Sequence, residues 1–333
     1  MTIKNTYIIG VHQMFYEIEM FDELIESYIQ LLFNIENPQN VAFHFCLNYQ
    51  QYLEKCTIDL NEIRCRLLTG IDRLKTTNCQ IFIESKHDDD EFYNIAAYRR
   101  ELNYNWCNKF DYILWAESDS WFGKDSLLII EAIHSMVNTT TPKFILSFAQ
   151  RKLWGNDWKQ NEHPMFSQIA YQDSDDWILN HESSDKSYMS IERMNEINSI
   201  DISEIIVERW SEPKFDGSCL VISSELIKSG ANIPHSLICS GEDTSLAQIS
   251  KKLMGDQFVQ FHCKNYLHVH NRRHPKKRTF IKNENNSRGF CDDRKGQWWN
   301  ILEKSSKHNL EGLFTQQPFV KVGEVLKQIK LSK

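Results

Sequence analysis

Two carboxylates one residue apart, Glu117 and Asp119, close the stretch Lys109-Phe110-Asp111-Tyr112-Ile113-Leu114-Trp115-Ala116-Glu117-Ser118-Asp119-Ser120. Hard divalent cations such as Mg2+ and Mn2+ take carboxylate oxygens and usually hold substrate phosphates as well. Tyr112 to Ala116 is an unbroken apolar run, as expected of a strand buried on both faces. In open α/β sheets, ligands bind beyond the carboxyl ends of the strands. A Glu-x-Asp at such a strand tip therefore reads as a metal and phosphate site. Capping of the helix expected over Lys124–Val137 accounts for one of Ser118, Asp119 or Ser120. It does not account for Glu117, whose charge stands where the strand leaves the core.

Other residues carry weaker chemical signals. Asp243 follows Ser240-Gly241-Glu242, and the Ser-x-x-Asp spacing is that of a capping box, a purely structural explanation for the acid. His268 and His270, two apart in an expected strand, share a face. Arg99 and Arg100, or Arg272 and Arg273, can give charge-assisted hydrogen bonds to a diphosphate. For the first pair, a solvated helix face explains them equally well. Arg272 to Arg278, which includes Lys276 and Lys277, is the strong basic run.

These residues need a scaffold. Tyr7–Val11 reads as a first strand with Gly10 near its end, followed by an amphipathic helix over Glu17–Phe33 carrying Phe21, Leu24, Ile25, Tyr28, Leu31 and Leu32. Asn37-Pro38 breaks it. Val41–Leu47, ending at Asn48, and Gln80–Glu84 read as strands, and Phe92–Asn105 as the helix bearing Arg99. After the central strand come the helix to Val137 and a strand over Lys143–Ala149. The alternation predicts an α/β fold, a mostly parallel sheet with helices on its faces. Residues 150–200 then turn polar, with Trp154 and Trp158 among embedded aromatics, as a solvated insertion or an acceptor-binding lid would. Phe215–Ile222 returns to the core. Phe258–Cys263 and Tyr266–His270 read as two late strands, and a final amphipathic helix is expected near Val320–Ile329. Neither Gly-x-Gly-x-x-Gly nor a Gly-Lys-Ser/Thr phosphate loop occurs.

Composition narrows the class. The 333 residues are 41% hydrophobic and 25% charged, with a formal charge of −7, which argues against a general nucleic-acid coat but not against a local basic patch. Nine cysteines without a Cys-x-x-Cys pair argue against a zinc site and a disulfide framework, and for a reducing compartment. No run approaches the ~18 apolar residues of a membrane span, so a cytoplasmic location is expected, the host cytoplasm for a viral protein.

In order, the landmarks resemble nucleotide-sugar glycosyltransferases of the GT-A fold, most like the family-2 type. They are the strand Tyr7–Val11, the helix around Ser27–Gln30, Tyr98-Arg99-Arg100, Glu117-Ser118-Asp119 in the place of an Asp-x-Asp motif, Phe215-Asp216-Gly217, Gly241-Glu242-Asp243 and His268-Val269-His270. The resemblance spans about residues 3–272 as ordered landmarks rather than close identity. It implies a GT-A type, Rossmann-like sheet, with a donor-binding half at 1–145, an acceptor-binding and catalytic half at 146–305 that includes the insertion, and a packing tail at 306–333. It implies a nucleoside diphosphate sugar as donor, a UDP-sugar first, held by Gly10, Val11, His12, Asn48, Arg99, Glu117, Ser118, Asp119, Arg272 and Arg273. Mn2+ or Mg2+ would be bound by Asp119, with Glu117 on the metal or the donor ribose and one of His268 and His270 as a further ligand. Asp243, next to Glu242, would be the general base of an inverting transfer. Glu for the first Asp is a departure that lengthens the reach of the side chain. Some family members modify hydroxymethylated bases in viral DNA, which makes hydroxymethylcytosine the favoured specific acceptor, contacted by Trp154, Trp158, Lys276 and Lys277; a glycan is the other.

Three other classes use the same residues differently. A metal-dependent nucleotidyltransferase would take a sugar phosphate, and a nuclease or phosphatase would use Glu117, Asp119 and Asp243 as a two-metal site. A non-catalytic binding protein needs none of the carboxylates.

Overall fold

The computed structural model describes residues 2–50, 57–87, 89–90, 93–137, 142–150, 161–166, 188–210, 216–237, 241–271, 297–321, 324–325 and 327. Tyr7–Met14 (β1) is buried over all but its last residue. A 3-10 turn, Phe15–Met20, leads into Phe21–Leu32 (α1). The helix starts later than Glu17 because Glu17 itself sits at φ −120°, ψ 16°, outside helical geometry. Val41–Asn48 (β2), Leu60–Lys75 (α2), Gln80–Lys86 (β3), Ile95–Trp106 (α3) and Tyr112–Glu117 (β4) follow. α2 escaped the sequence reading, although Ile63, Leu67, Ile71 and Leu74 are buried at helical spacing behind Asp59, whose side chain accepts from Asn61 N–H.

The chain continues through Ser120–Trp121 (β5), Ser126–Val137 (α4), Lys143–Gln150 (β6), Ile191–Ile197 (α5), Val207–Trp210 (β7), Cys219–Ser223 (β8), Ser224–Lys228 (α6), Glu242–Met254 (α7), Phe258–His270 (β9) and Gln297–Gly312 (α8). The two expected late strands are one. β9 runs parallel to β6, and its register shifts where Cys263 pairs Phe148 and Leu267 pairs Ala149. The extra residues carry Asn265, whose side chain accepts from Ile206 N–H and donates to Glu204 O, so a polar side chain is satisfied without ending the strand. Of the helix expected at Val320–Ile329, only part falls within the described residues.

The sheet order is β3-β2-β1-β4-β8-β6-β9-β5, with β7 on β9. β1, β2, β3, β4, β6 and β9 run one way, and β8 is antiparallel to both its neighbours. Helices cover both faces over separate apolar cores, one with Phe21, Tyr28, Phe43, Phe45 and Leu114, the other with Tyr98, Leu102, Trp115, Leu220 and Leu246. This is the mostly parallel, helix-flanked sheet that the resemblance implies. Between β1 and β4 the chain's direction of travel across the sheet reverses, the switch point beyond which α/β sheets bind ligands.

Candidate active site

Strand directions bring the site together at one edge. β4 ends with Glu117, and the end of β1 lies beside it with His12 opposite Glu117. β8 is antiparallel to β4 with Cys219 opposite Ala116, so the preceding Asp216-Gly217-Ser218 reaches the same tip. β9 ends there too, because Ser120 of the short β5 pairs with His270.

Glu117, Asp119 and His270 each offer a ligand atom, all within 4.8 Å of one another. Nε2 of His270 lies 3.3 Å from Glu117 Oε2 and 3.5 Å from Asp119 Oδ2, while its Nδ1 lies 3.2 Å from Asp216 Oδ2. Asp216 thus fixes which imidazole nitrogen faces the acids, as carboxylates behind metal-binding histidines do. Burial opposes a charged His270, but Asp119 and Asp216 outweigh it and push its pKa up to about 10. Asp216 is displaced the other way: burial raises it, and the charge and hydrogen bond of His270 pull it well below the usual range. Two carboxylates and an imidazole suit Mn2+ or Mg2+, and these acids already gather around a positive group, so the residues fit a divalent cation. His268 is placed differently. Its Nε2 meets Ser218 Oγ at 3.2 Å, its ring lies against Phe122, and burial drives its pKa down to about 3.

A second cluster adjoins the first. The Arg99 guanidinium is buried, 1% exposed, and lies over the Trp115 ring at 4.9 Å. Nη1 donates to Glu242 Oε1 at 2.5 Å; Nη2 donates to Glu117 Oε1 at 2.9 Å and Gly217 O at 2.5 Å. The sequence left Arg99 between a diphosphate contact and a solvated face, and the structure places it in this internal network. Burial works against its charge, and Glu242, Glu117 and Asp243 more than offset that. Arg100 donates to Pro234 O.

Asp243 does not sit where a capping box needs it. The N-cap is Gly241, at φ 79°, which makes Asp243 the second helical residue rather than the third. Its Oδ2 accepts from Gly217 N–H at 3.2 Å and its Oδ1 from Thr244 N–H at 2.6 Å. Burial and the neighbouring Glu242 raise its pKa to about 7, with Arg99 opposing. Burial also raises Glu242. A carboxylate poised near neutral pH is suited to taking a proton.

The remaining expected donor residues fall in two groups. Asn48 Nδ2 donates to His12 Nε2 and to Tyr93 O, each at 3.1 Å, which suits a neutral imidazole; burial lowers His12 to about 4. Val11 is in the core, and at Gly10 a Cβ would lie 2.2 Å from Leu102 Cδ2, so the missing side chain lets α3 approach β1. Ser118 Oγ donates to the buried Glu17 carboxylate, which the sequence reading passed over. Asp216, part of Phe215-Asp216-Gly217 in the sequence, takes its role only here, against His270 Nδ1. Arg272, Arg273, Lys276, Lys277, Trp154 and Trp158 lie outside the described residues.

No protein-family model matches the sequence, and no curated protein matches it. Solved structures do show likeness. The chain is similar to residues 1–349 of S. aureus TarS in complex with UDP-GlcNAc, at 10% identity and TM-score 0.47 over 97% of this chain and 80% of that one. It is similar to glucosyl-3-phosphoglycerate synthase from Mycobacterium tuberculosis in complex with Mn2+, UDP and glucosyl-3-phosphoglycerate, at 9% identity and TM-score 0.44 over 96% and 82%. It is also similar to GalNAc-T7 with UDP, GalNAc and Mn2+, at 10% identity and TM-score 0.46 over 99% and 54%.

Three substitutions test the geometry. A Cβ at Gly217 would lie 2.4 Å from Arg99 Nη1, and Arg99 is held on several sides. Gly217→Ala is therefore expected to cost about 1–3 kcal/mol by overpacking, read as a lowered melting temperature. An unchanged melting curve would mean that the Arg99 contact is looser than the structure has it. The histidines should separate: His270→Ala is expected to weaken Mn2+ binding by more than about tenfold, and His268→Ala to leave it within about threefold, by titration calorimetry. Equal effects would remove His270 from its place.

Proposed function

We propose that this chain is a metal-dependent transferase that moves a sugar from a nucleoside diphosphate to an acceptor hydroxyl. The observation that carries the reading is the convergence of Glu117, Asp119 and His270 with Asp243 across the Asp216-Gly217-Ser218 turn, which bonds to both groups. It is supported by the position of this cluster beyond the β1–β4 switch point. Glu117, Asp119 and His270 would hold a divalent ion, which would supply stabilisation of negative charge on the leaving diphosphate. Asp243, its pKa raised to about 7, takes the proton of the attacking hydroxyl. A single base with no second carboxylate assigned as nucleophile favours direct displacement with inversion. Residues 1–145 then serve the donor, a UDP-sugar first, and 146–305 the acceptor. The reading of hydroxymethylcytosine in DNA as acceptor rests on residues outside those described and gains no support from the geometry; a glycan hydroxyl serves the same chemistry.

The test is incubation with a panel of nucleotide sugars and Mn2+. Release of nucleoside diphosphate that stops on chelation is the expected result. Cleavage of a phosphodiester or phosphomonoester, with none of the sugars consumed, would replace the transferase reading by the nuclease or phosphatase one.

A further inference from the structure

Arg99 is almost fully buried, yet it lies between the two groups that the proposed reaction needs. Its partners come from three separate elements: Glu117 at the end of β4, Gly217 before β8, and Glu242 at the start of α7. A buried ion pair is weak evidence for stability, since desolvation offsets much of the attraction. The division of Glu117 is more informative. One carboxylate oxygen, Oε1, accepts from Arg99, and the other, Oε2, faces His270 Nε2. A planar guanidinium holds a carboxylate in a fixed orientation in a way that an ammonium does not.

We propose that Arg99 is a positioning residue that presents Glu117 to the divalent cation through one oxygen and ties that ligand to the helix carrying Asp243. Its second half rests on the transferase reading; its first half does not. The longer glutamate then has a reason. It spans from the strand tip to both Arg99 and the cation pocket, and an aspartate, one methylene shorter, cannot serve both. Trp115 under the guanidinium and the missing Cβ of Gly217 keep the fork in one place. Glu242 carries the tie onward, one residue before Asp243.

The test measures Mn2+ affinity by EPR titration without any sugar, alongside melting curves and the kcat and KM of nucleotide-sugar turnover. Glu117→Asp keeps the charge on a partly exposed side chain, 31% accessible, and is expected to fold. Its Mn2+ dissociation constant should rise about 10–100-fold, the usual cost of disturbing a ligand's support. Arg99→Lys should weaken Mn2+ binding comparably, and should lower kcat more than it raises KM. Mn2+ binding within twofold of wild type in a folded Glu117→Asp or Arg99→Lys protein overturns the proposal. Should Arg99→Lys melt below the assay temperature, its Mn2+ affinity is read at a lower temperature at which it is folded, beside wild type under the same conditions. A wild-type protein that binds Mn2+ but consumes no nucleotide sugar overturns the transferase reading instead, and the affinity comparison still stands.

Discussion

Asp119→Ala is expected to lower sugar transfer by at least about 10³-fold, a rise of roughly 4 kcal/mol in the barrier. It is also expected to remove Mn2+-dependent donor binding while the fold persists. The side chain is 1% exposed and is one of two acids against Nε2 of His270, Asp216 being taken up by Nδ1, so no neighbour substitutes for it. The fold is expected to persist because Glu117 remains against Nε2 of His270 and Asp216 against its Nδ1, so the imidazole keeps two carboxylate partners. Asp119→Asn separates charge from shape, since it keeps the volume and one acceptor oxygen. Donor affinity in titration calorimetry with Mn2+ that is the same for wild type and Asp119→Ala would remove Asp119 from the site.

The parts of this site that were legible in the sequence are those written in local pattern. A strand buried on both faces shows as an unbroken apolar run, and Tyr112–Ala116 has one; the charge at its end then needs a reason. Period and punctuation likewise revealed the alternation of strands and helices in the first half. α2 is equally legible, with Ile63, Leu67, Ile71 and Leu74 in register behind a capping Asp59.

What was not legible depends on contacts between distant segments. A two-residue period puts His268 and His270 on one face, and nothing within β9 distinguishes them. The choice is made by β5, two residues long, which pairs Ser120 with His270, and by Asp216 from the turn before β8. Arg99 reads as a charge on an amphipathic helix. Its burial follows from Trp115, Glu117, Gly217 and Glu242, which meet only when β4, β8 and α7 are assembled. The bulge that makes β9 one strand depends on Ile206 and Glu204, both far from it in sequence.

Asp243→Asn is expected to lower kcat by about 10²–10⁴-fold, the usual contribution of a general base, with donor affinity within about twofold of wild type because no phosphate contact is removed. The pH profile gives the decisive sign. The base works only when ionised, and its pKa is raised to about 7 by burial and Glu242. The wild-type rate should therefore rise with pH, bend near 7 and level off above it, and the variant's residual rate should lose that bend. Stability runs the opposite way. A carboxyl whose folded pKa lies above its unfolded value favours the folded state below the unfolded value, and that contribution is lost as pH rises through about 7. The melting temperature of Asp243→Asn relative to wild type should consequently be higher at pH 8 than at pH 4. This comes on top of a pH-independent loss, because the amide nitrogen replaces one of the two oxygens that accept from Gly217 and Thr244 N–H. A residue that only capped α7 would behave otherwise, since its replacement would lower the melting temperature equally at either pH and leave the rate near wild type. Turnover within a few-fold of wild type, with the same loss of melting temperature at pH 4 and pH 8, would return Asp243 to a structural role.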